Sequence, residues 1–467
     1  MEFLESIPFD QLELGQQASM RRQLTLQDLE LHAVATGGAI PERPAPDGKA
    51  GARYRADESW LAGMLSALVT TQLPGPSSRV LSQALEFPRS VDVGEDVTLT
   101  VTVASKDPGT GEVSLRCEGG NQHGEVVLRG DLRVRAPTER MRRPRAAVPE
   151  VRLSQHTDLQ RLMEAASRNR ALTTAVVHPV DQASLGGAIA AAEAGLIIPV
   201  LVGPEARIRS TAASQGLDLD GYRIVGTEHS HAAAEAAVEL ARSGQVGAIM
   251  KGSLHTDELM AAALDKARGV RTDRWVSHVF AFDVPAYPRP LFITDAAINI
   301  YPDLDAKRDI VQNAIELAHA LGIERPKVAI LSAVETVTHK IQSTLDAAAL
   351  CKMADRGQIT GAILDGPLAF DNAVSAAAAQ TKGIVSAVAG EADILVVPDL
   401  ESGNMLAKQL EYLAGAEGAG IVLGTRVPIM LTSRADDTVS RMASCALAVM
   451  LSQHRHQLLK QQRPSTG

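Results

Sequence analysis

TTAVVHPVDQASLGGAIAAAEAGLIIPVLV, residues 173–202, contains the pattern on which the fold of this chain depends. Two short apolar runs, 173–177 and 198–202, flank an alanine-rich stretch that is long enough for a helix. A strand, a helix and a second strand in this order predict a βαβ unit with parallel strands. Similar apolar runs recur towards the C-terminus, at GAIM (247–250), KVAIL (327–331), GAIL (361–364), DILVV (393–397), GIVLG (420–424) and PIMLT (428–432). The sequence therefore predicts an α/β fold with a mostly parallel sheet.

The N-terminal part of the chain has a different pattern. DVTLTVTVA (96–104) alternates apolar and polar residues strictly, and VVLRGDLRV (126–134) does so less strictly. This period of two predicts half-buried antiparallel strands. An apolar helix is predicted at SWLAGMLSALVTTQ (59–72). We expect a sheet wrapped on one central helix, followed by an exposed linker in the proline- and arginine-rich stretch 136–150.

Composition excludes several classes of function. A chain of 467 residues should form more than one domain, and 45% hydrophobic with 22% charged residues is ordinary for a globular protein. The net charge of −9 and the 3% aromatic content argue against nucleic acid as a partner. The first ten residues, MEFLESIPFD, show no secretory signal, and no apolar run approaches a membrane span. We therefore expect a cytoplasmic protein without a membrane partner.

The richest chemistry lies where the last apolar run ends, in PIMLTSRADDT (428–438). Ser433 and Arg434 follow the run directly, and Asp436 and Asp437 come next. In an open α/β sheet, ligands bind outside the carboxyl ends of the strands. A hydroxyl donor, a guanidinium that can clamp an anion and a carboxylate that can act as a base would together hold a phosphate and move a proton.

Polar residues also follow other apolar runs, and we interpret them as candidate substrate-binding residues. They are Lys251, Ser253, Asp295, Asn299, Asp365, Asn372, Asn404 and Lys408. Each has a purely structural alternative, since Ser253 could cap a helix and Asp365 could belong to a turn before the helix that Asn372 opens. His255 and His278 are secondary candidates near these residues. No histidine or cysteine spacing predicts a metal site.

Six ordered segments resemble one family. KGSLHT, TDAAINIYPDLDAKRDIVQNAI, LSAVET, DGPLAFDNA, ADILVVPDLESGNMLAKQLEYLA and LTSRADDT are similar to motifs of the phosphate acetyl/butyryltransferases, over about residues 160–455. The resemblance implies transfer of a short acyl group between CoA and phosphate, with CoA as a substrate, no bound cofactor and no metal. It also implies a homodimer or higher homo-oligomer, and two α/β subdomains with the active site in the cleft between them.

The resemblance assigns roles within LTSRADDT. Ser433 and Arg434 match the family's Ser-Arg pair, Asp437 is the better match for the base, and Asp436 is the alternate. Acetyl-type members tend to have an arginine in the helix after the GNM motif, where this chain has Tyr412. We therefore expect a chain closer to the butyryl-type branch.

The N-terminal part resembles a MaoC-like (R)-specific enoyl-CoA hydratase, a hot-dog fold. The resemblance rests on the segments LTLQDLELHAVATGG, LPGPSS, FPRSVDVGEDVTLTVTV and NQHGEVVLRGDLRV. In such hydratases a catalytic Asp and His follow the Thr-Gly pair, whereas Gly38 and Arg43 stand in those places here. Without an acid/base pair, water addition lacks a proton donor and acceptor. We predict an inactive hydratase module. A truly bifunctional enzyme and a non-catalytic acyl-CoA sensor are the alternatives.

These interpretations predict the domain organisation. Residues 1–136 would form the hot-dog domain, residues 137–155 a linker, and residues 156–467 the acyltransferase domain. Within the last, one subdomain would combine about 156–280 with 428–467, and the other would span about 281–427.

Overall fold

The chain forms two compact units, Met1–Leu153 (unit 1) and Ser154–Gly467 (unit 2). The computed structural model describes residues 3–39, 42–43, 53–144, 157–431 and 437–461. Ser433, Arg434 and Asp436 lie outside these ranges. Among the described residues, no helix has both the length and the apolar composition that crossing a membrane requires.

Unit 1 is built on a five-stranded antiparallel sheet. Its elements are β1 (Phe3–Glu5), β2 (Gln17–Gln23), α1 (Leu26–Thr36), β3 (Glu42–Arg43), β4 (Arg53–Tyr54), α2 (Glu58–Thr71), β5 (Arg79–Glu86), β6 (Asp96–Asp107), β7 (Glu112–Asn121), β8 (Val126–Arg135) and β9 (Arg142–Pro144). The strand order of the sheet is β2-β6-β7-β8-β5, with every neighbouring pair antiparallel.

Helix α2 supplies the core of unit 1. Asp57 caps the helix, because its Oδ1 accepts a hydrogen bond of 2.7 Å from the backbone N–H of Ser59. Leu61, Leu65 and Leu68 recur at three- and four-residue spacing and are buried, in one cluster with the inward-facing residues of β6. The predicted arrangement of an antiparallel sheet around one helix, the hot-dog-like fold, is confirmed.

Part of the segment expected to be a linker is structured. Strand β9 pairs with β1 in antiparallel register, Leu4 opposite Arg143. The backbone N–H groups of Ser6 and Phe9 also donate to carbonyls of this segment, those of Met141 and Pro137, at 2.9 Å each. Residues 137–144 therefore pack against the N-terminal end of unit 1, and residues 145–155 lie outside the described ranges.

Unit 2 alternates strands and helices. Its elements are α3 (Thr157–Ser167), β10 (Leu172–Val177), α4 (Gln182–Glu193), β11 (Ile197–Gly203), α5 (Glu205–Gln215), β12 (Arg223–Gly226), α6 (Ser230–Arg242), β13 (Ala248–Lys251), α7 (Thr256–Ala263), β14 (Ser277–Asp283), β15 (Leu291–Thr294), α8 (Leu304–Ala320), β16 (Lys327–Leu331), α9 (Gln342–Asp355), β17 (Ile363–Leu368), α10 (Phe370–Val374), α11 (Ala376–Thr381), β18 (Ile394–Val396), α12 (Leu400–Leu413), β19 (Glu417–Leu423), β20 (Ile429–Met430) and α13 (Thr438–Gln461).

The strands of unit 2 form one eleven-stranded sheet in the order β12-β11-β10-β13-β20-β19-β14-β15-β18-β16-β17. The five strands β12, β11, β10, β13 and β20 at one side of the sheet are mutually parallel. The four strands β15, β18, β16 and β17 at the other side are also mutually parallel. The pairs β20-β19, β19-β14 and β14-β15 are antiparallel. The predicted mostly parallel sheet is confirmed, but its two parallel halves run in opposite directions on either side of the central pair β19-β14.

Truncating one core side chain tests the packing of unit 1. Leu65→Ala should lower the free energy of unfolding by about 2–5 kcal/mol, the usual cost of a buried leucine truncation, because Leu65 is fully buried. Urea unfolding can be followed by the fluorescence of Trp60, which is 7% exposed in unit 1. The measurement uses a Trp275→Phe background, since Trp275 in unit 2 is the second of the two tryptophans.

The matched control for Leu65→Ala is Ser66→Ala, which changes the next residue of the same helix. Ser66 is exposed, so its change should stay within about 0.5 kcal/mol of the parent. Equal stability of the two variants would contradict the assignment of this helix face to the core.

Candidate active site

A cleft of about 500 Å³ lies in unit 2 over the central pair β14-β19. On β14 it is lined by His278, Phe280 and Phe282, and on β19 by Gly418 and Gly420. Glu417, the first residue of β19, also lines the cleft. The other described lining residues come from loops and helices around the pair, and they are Thr256, Ala297, Leu400, Asn404, Lys408, Glu411, Ala416, Leu431, Asp437 and Ser440. The cleft therefore draws on both sequence segments that we expected to form two subdomains.

Strands β20 and β15, on either side of the central pair, end at the same level of the sheet although they run in opposite directions. Strand β20 runs in the same direction as β14, and Leu431, just after it, donates its N–H to the carbonyl of Gly420. Gly420 pairs with Phe280. Strand β15 runs the opposite way and ends at Thr294, opposite Val279. Both strands stop half-way along their longer neighbours, so the loops that follow them begin at the same level of the sheet.

The segment that carries Ser433, Arg434 and Asp436 is bounded by two residues of this cleft. Leu431, before the segment, is buried, and Asp437, after it, is exposed; both line the cleft. The residues on both sides of 432–436 thus lie at the cleft. Asp437 also caps α13, because its Oδ1 accepts a hydrogen bond of 2.8 Å from the N–H of Ser440.

His278 is the buried polar residue at the base of the cleft. Its side chain is 1% exposed, and Nδ1 has no hydrogen-bond partner among the described residues. Burial lowers the pKa of His278 to about 3, because the charged form loses its hydration. The imidazole is therefore neutral at pH 7. Its backbone carbonyl accepts a hydrogen bond of 2.9 Å from the hydroxyl of Thr294, which ties the ends of β14 and β15 together.

Charged and amide groups from α12 form another side of the cleft. Asn404 is exposed there, with its Nδ2 3.3 Å from the carbonyl oxygen of Ala296. The ammonium of Lys408 pairs with Glu411 at 2.7 Å and lies 5.6 Å from the ring centroid of Tyr412. A partly exposed pair of this kind contributes little stability, so Lys408 can exchange its partner for an anionic ligand.

Asp295 and Asn299, both predicted substrate-binding residues, organise the loop after β15. The Asp295 carboxylate accepts backbone N–H bonds of 3.0, 3.0 and 3.1 Å from residues 297–299, and the Asn299 side chain also donates to it. Burial raises the pKa of Asp295, and these hydrogen bonds oppose the rise. The two residues hold Ala297 against the cleft, and neither lines the cleft itself.

Lys251 and Ser253 follow β13 and do not line the cleft. Lys251 is 5% exposed at the end of that strand. The Ser253 carbonyl accepts a hydrogen bond of 2.7 Å from Nδ1 of His178. The Ser253 hydroxyl is one of several donors that lower the pKa of Asp181 against the opposing effect of burial. The capping alternative for Ser253 is wrong, because α7 begins at Thr256 with His255 before it.

Asp365 and Asn372 do not line the cleft. The turn interpretation of Asp365 is wrong, since Asp365 lies within β17, the outermost strand, and accepts the N–H of Gly366 at 2.8 Å. Asn372 is fully buried in α10 and donates to Glu335, while its Oδ1 has no partner among the described residues. Five strands separate β17 from β20, so Asp365 is distant from Asp437 in the sheet order.

Of the predicted binding residues, the cleft therefore brings together Asn404, Lys408 and Asp437. Sequence reasoning missed Phe280, Phe282, Gly418 and Gly420. A signal for the first two exists in SHVFAFD (277–283), where His278, Phe280 and Phe282 alternate on one face. The other face of this segment is also buried, and an uninterrupted buried run conceals the alternation.

Comparisons with known proteins bear on unit 2. A family model described as phosphate acetyl/butaryl transferase matches residues 230–449. A phosphate acetyltransferase of Rhizobium meliloti is 61% identical over 302 residues, which cover 65% of this chain and 96% of that protein. This chain belongs to the phosphate acetyl/butyryltransferase family. It is an acyltransferase in class.

Two further relatives cover the same unit. A phosphate butyryltransferase of Clostridium acetobutylicum is 44% identical over 278 residues, covering 60% of this chain and 92% of that protein. The crystal structure of a branched-chain phosphotransacylase from Enterococcus faecalis V583 matches with a TM-score of 0.54 and 30% identity, covering 61% of this chain and all of that one. The expected closeness to the butyryl-type branch is not supported, since the acetyltransferase is the more identical. That expectation rested on Tyr412, which is 66% exposed and does not line the cleft.

For unit 1, an unliganded R-hydratase PhaJ1 structure from Pseudomonas aeruginosa matches with 26% identity and a TM-score of 0.30, covering 33% of this chain and all of that one. A score this low carries no conclusion about function. The hot-dog-like architecture of unit 1 stands on its own strand order and its central helix.

The buried His278 predicts a pH dependence of stability. Its folded-state pKa of about 3 lies below the ordinary 6.5, so the unfolded chain takes up the proton first as the pH falls. The stabilisation is complete above pH 6.5 and is lost progressively towards pH 3. Between pH 7.5 and 5.5, the wild type should lose about 1.4 kcal/mol more unfolding free energy than His278→Gln, which cannot titrate.

Urea unfolding at the two pH values measures this difference, with Trp275 as the reporter of unit 2 in a Trp60→Phe background. His255→Gln, which changes an exposed histidine beside α7, is the control and should keep the wild-type pH dependence. Parallel pH profiles for the wild type and His278→Gln would show that His278 is not buried in its neutral form.

Proposed function

We propose that unit 2 catalyses the reversible transfer of a short acyl group between CoA and inorganic phosphate, with both substrates bound together in the cleft over β14-β19. The observation that carries the proposal is that Leu431 and Asp437, which bound the family's Ser-Arg segment, both line this cleft. Family membership supplies the reaction class, and the cleft supplies a place where its parts can meet.

The proposed step towards acyl-CoA needs no covalent acyl-enzyme. Asp437 accepts the proton of the CoA thiol, and the thiolate attacks the carbonyl carbon of the acyl phosphate. The tetrahedral intermediate collapses with release of phosphate, and the bond to sulfur remains. Arg434 offsets charge on the phosphate and on the developing oxyanion, which suits its planar fork of donors. Ser433 donates a hydrogen bond to the phosphate.

The side of the cleft formed by α12 is the proposed place for the phosphate groups of CoA. Lys408 supplies a cation and Asn404 an amide at the surface of the cleft, and together they can bind anionic oxygens. Asp295 and Asn299 support the site indirectly, because they fix the loop that brings Ala297 to the cleft. We propose acetyl as the first acyl group to test, since the 61% identical relative is a phosphate acetyltransferase, and butyryl as the second.

We also propose that unit 1 does not hydrate enoyl-CoA. Gly38, at the end of α1, has no side chain to exchange a proton. A histidine does lie nearby, and Nε2 of His32 is 2.6 Å from the hydroxyl of Ser59. That hydroxyl donates in turn to Asp57, at 2.5 Å. The serine thus stands between the ring and the carboxylate, so Asp57 does not orient the imidazole as a catalytic base needs.

CoA release tests the acyltransferase proposal. Purified full-length protein should release CoA from acetyl-CoA or butyryl-CoA only when phosphate is present. Asp437→Asn should lower kcat by about 10²-fold or more, the scale of losing a general base. Its melting temperature should hold, because asparagine can accept the capping hydrogen bond from Ser440.

Asp436→Asn is the matched control for Asp437→Asn and should retain activity within a few-fold. The reverse outcome, a large loss in Asp436→Asn alone, would move the base to Asp436. A wild type that releases no CoA with phosphate from either substrate would overturn the acyltransferase proposal.

Hydration of crotonyl-CoA tests the proposal for unit 1. We expect no loss of the enoyl absorbance when full-length protein is mixed with crotonyl-CoA in the absence of phosphate. An active (R)-specific enoyl-CoA hydratase in the same buffer is the positive control. Formation of 3-hydroxybutyryl-CoA would refute the proposal and establish a bifunctional enzyme.

A further inference from the structure

One face of β14 presents three rings to the cleft, and we call His278, Phe280 and Phe282 the aromatic stripe. The rings of His278 and Phe280 meet edge to face with centroids 4.3 Å apart, and those of Phe280 and Phe282 stack at 5.4 Å. His278 and Phe282 are buried to 1% and 2% exposure, whereas Phe280 is half-buried. Phe280 is therefore the member of the stripe with ring surface left for a ligand.

The neighbouring strand β19 has glycines opposite the stripe, and the rings of His278 and Phe282 lie close over them. Gly420 pairs with Phe280, and Gly418 with Phe282. A Cβ atom at Gly420 would lie 2.5 Å from the carbonyl oxygen of Leu431 and 2.8 Å from Nε2 of His278. A Cβ atom at Gly418 would lie 2.5 Å from the ring of Phe282. The two glycines thus form a flat floor against which the rings can lie.

The two ends of the cleft differ in the charge of the side chains that line them. The end at His278 and Leu431 holds a neutral imidazole. The charged residues Lys408, Glu411 and Glu417 lie towards the other end, beside Ala416 and Gly418. An apolar ligand group that must reach the reacting centre therefore fits the end at His278, and anionic groups fit the end at Lys408.

We propose that the aromatic stripe and the floor of Gly418 and Gly420 form the acyl subsite, and that Phe280 sets the length of the acyl chain. The inference rests on the acyl transfer proposed above. The occupant is the short aliphatic chain of the acyl-CoA or acyl phosphate, which lies against the accessible surface of the Phe280 ring in the cleft. Its carbonyl then lies towards Leu431, at the end of the cleft where His278 is. Phe280 is a specificity-determining residue, and the proton transfer stays with Asp437.

The test is the ratio of kcat/KM for butyryl-CoA to that for acetyl-CoA, measured on full-length protein with phosphate. Phe280→Ala should raise this ratio by about 10-fold or more, since each methylene in an apolar pocket changes kcat/KM by roughly 10- to 200-fold. Phe280→Trp should lower the ratio, because a larger ring shortens the subsite. Opposite shifts of the ratio separate a change of pocket length from a general loss of activity.

Tyr412→Ala is the matched control, because it removes an aromatic ring of α12 that is 66% exposed and does not line the cleft. Its ratio should equal that of the wild type. If Phe280→Ala does not fold, as judged by its thermal melt, Phe280→Leu replaces it with the same expected direction.

The outcomes separate the two proposals. A wild type that turns over acyl-CoA, with ratios unchanged in all Phe280 variants, would overturn the acyl subsite and leave the transferase standing. A ratio that shifts in Tyr412→Ala alone would place the specificity on α12 and also overturn it. A wild type without turnover would remove the function and this inference together.

Discussion

The antiparallel pairing of β14 with β19 is the constraint on which unit 2 depends. Parallel strands place all their carboxyl ends at one edge of a sheet, so two halves of opposite direction would place their loops at opposite edges. Here β20 and β15 stop level with Phe280 and Val279. The central pair β14-β19 therefore joins the two parallel halves of the sheet. The loops after β20 and β15 both begin half-way along this pair. A site composed of both halves exists because these two strands are longer than their outer neighbours.

The sequence predicted most strands of this sheet from their short apolar runs, but not all of them. Runs such as 173–177 and 327–331 are short, apolar and followed by helices, and the structure confirms them as β10 and β16. Strands β12, β14 and β15 were not predicted. Both faces of β14 are buried, so its sequence lacks a polar face, and its direction is set by pairings with residues more than a hundred positions away in β19. Register of that kind cannot be derived from a local pattern.

The position of a strand in the sheet also decides which candidate residues lie at the cleft. Asn404, Lys408 and Asp437 follow strands or begin helices near the centre, and the structure brings them to one cleft. Asp365 follows the same local rule on β17, yet β17 is the outermost strand. A polar residue after an apolar run does not by itself mark the end of a strand, since Asp365 lies within β17. Where that strand lies in the sheet decides whether the residue can join a site, and strand order was not available from the sequence.

The glycine floor at positions 418 and 420 has a consequence for how such a protein can diverge. The side chains on the face of β14 that lines the cleft belong to a strand whose backbone is paired on both sides. Exchanging one of those side chains leaves the ladder of hydrogen bonds and the spacing of the loops unchanged. Point substitutions can therefore change the shape of the cleft while the loops keep their geometry. Proteins that descend from one such scaffold can differ in substrate preference and keep the same reaction.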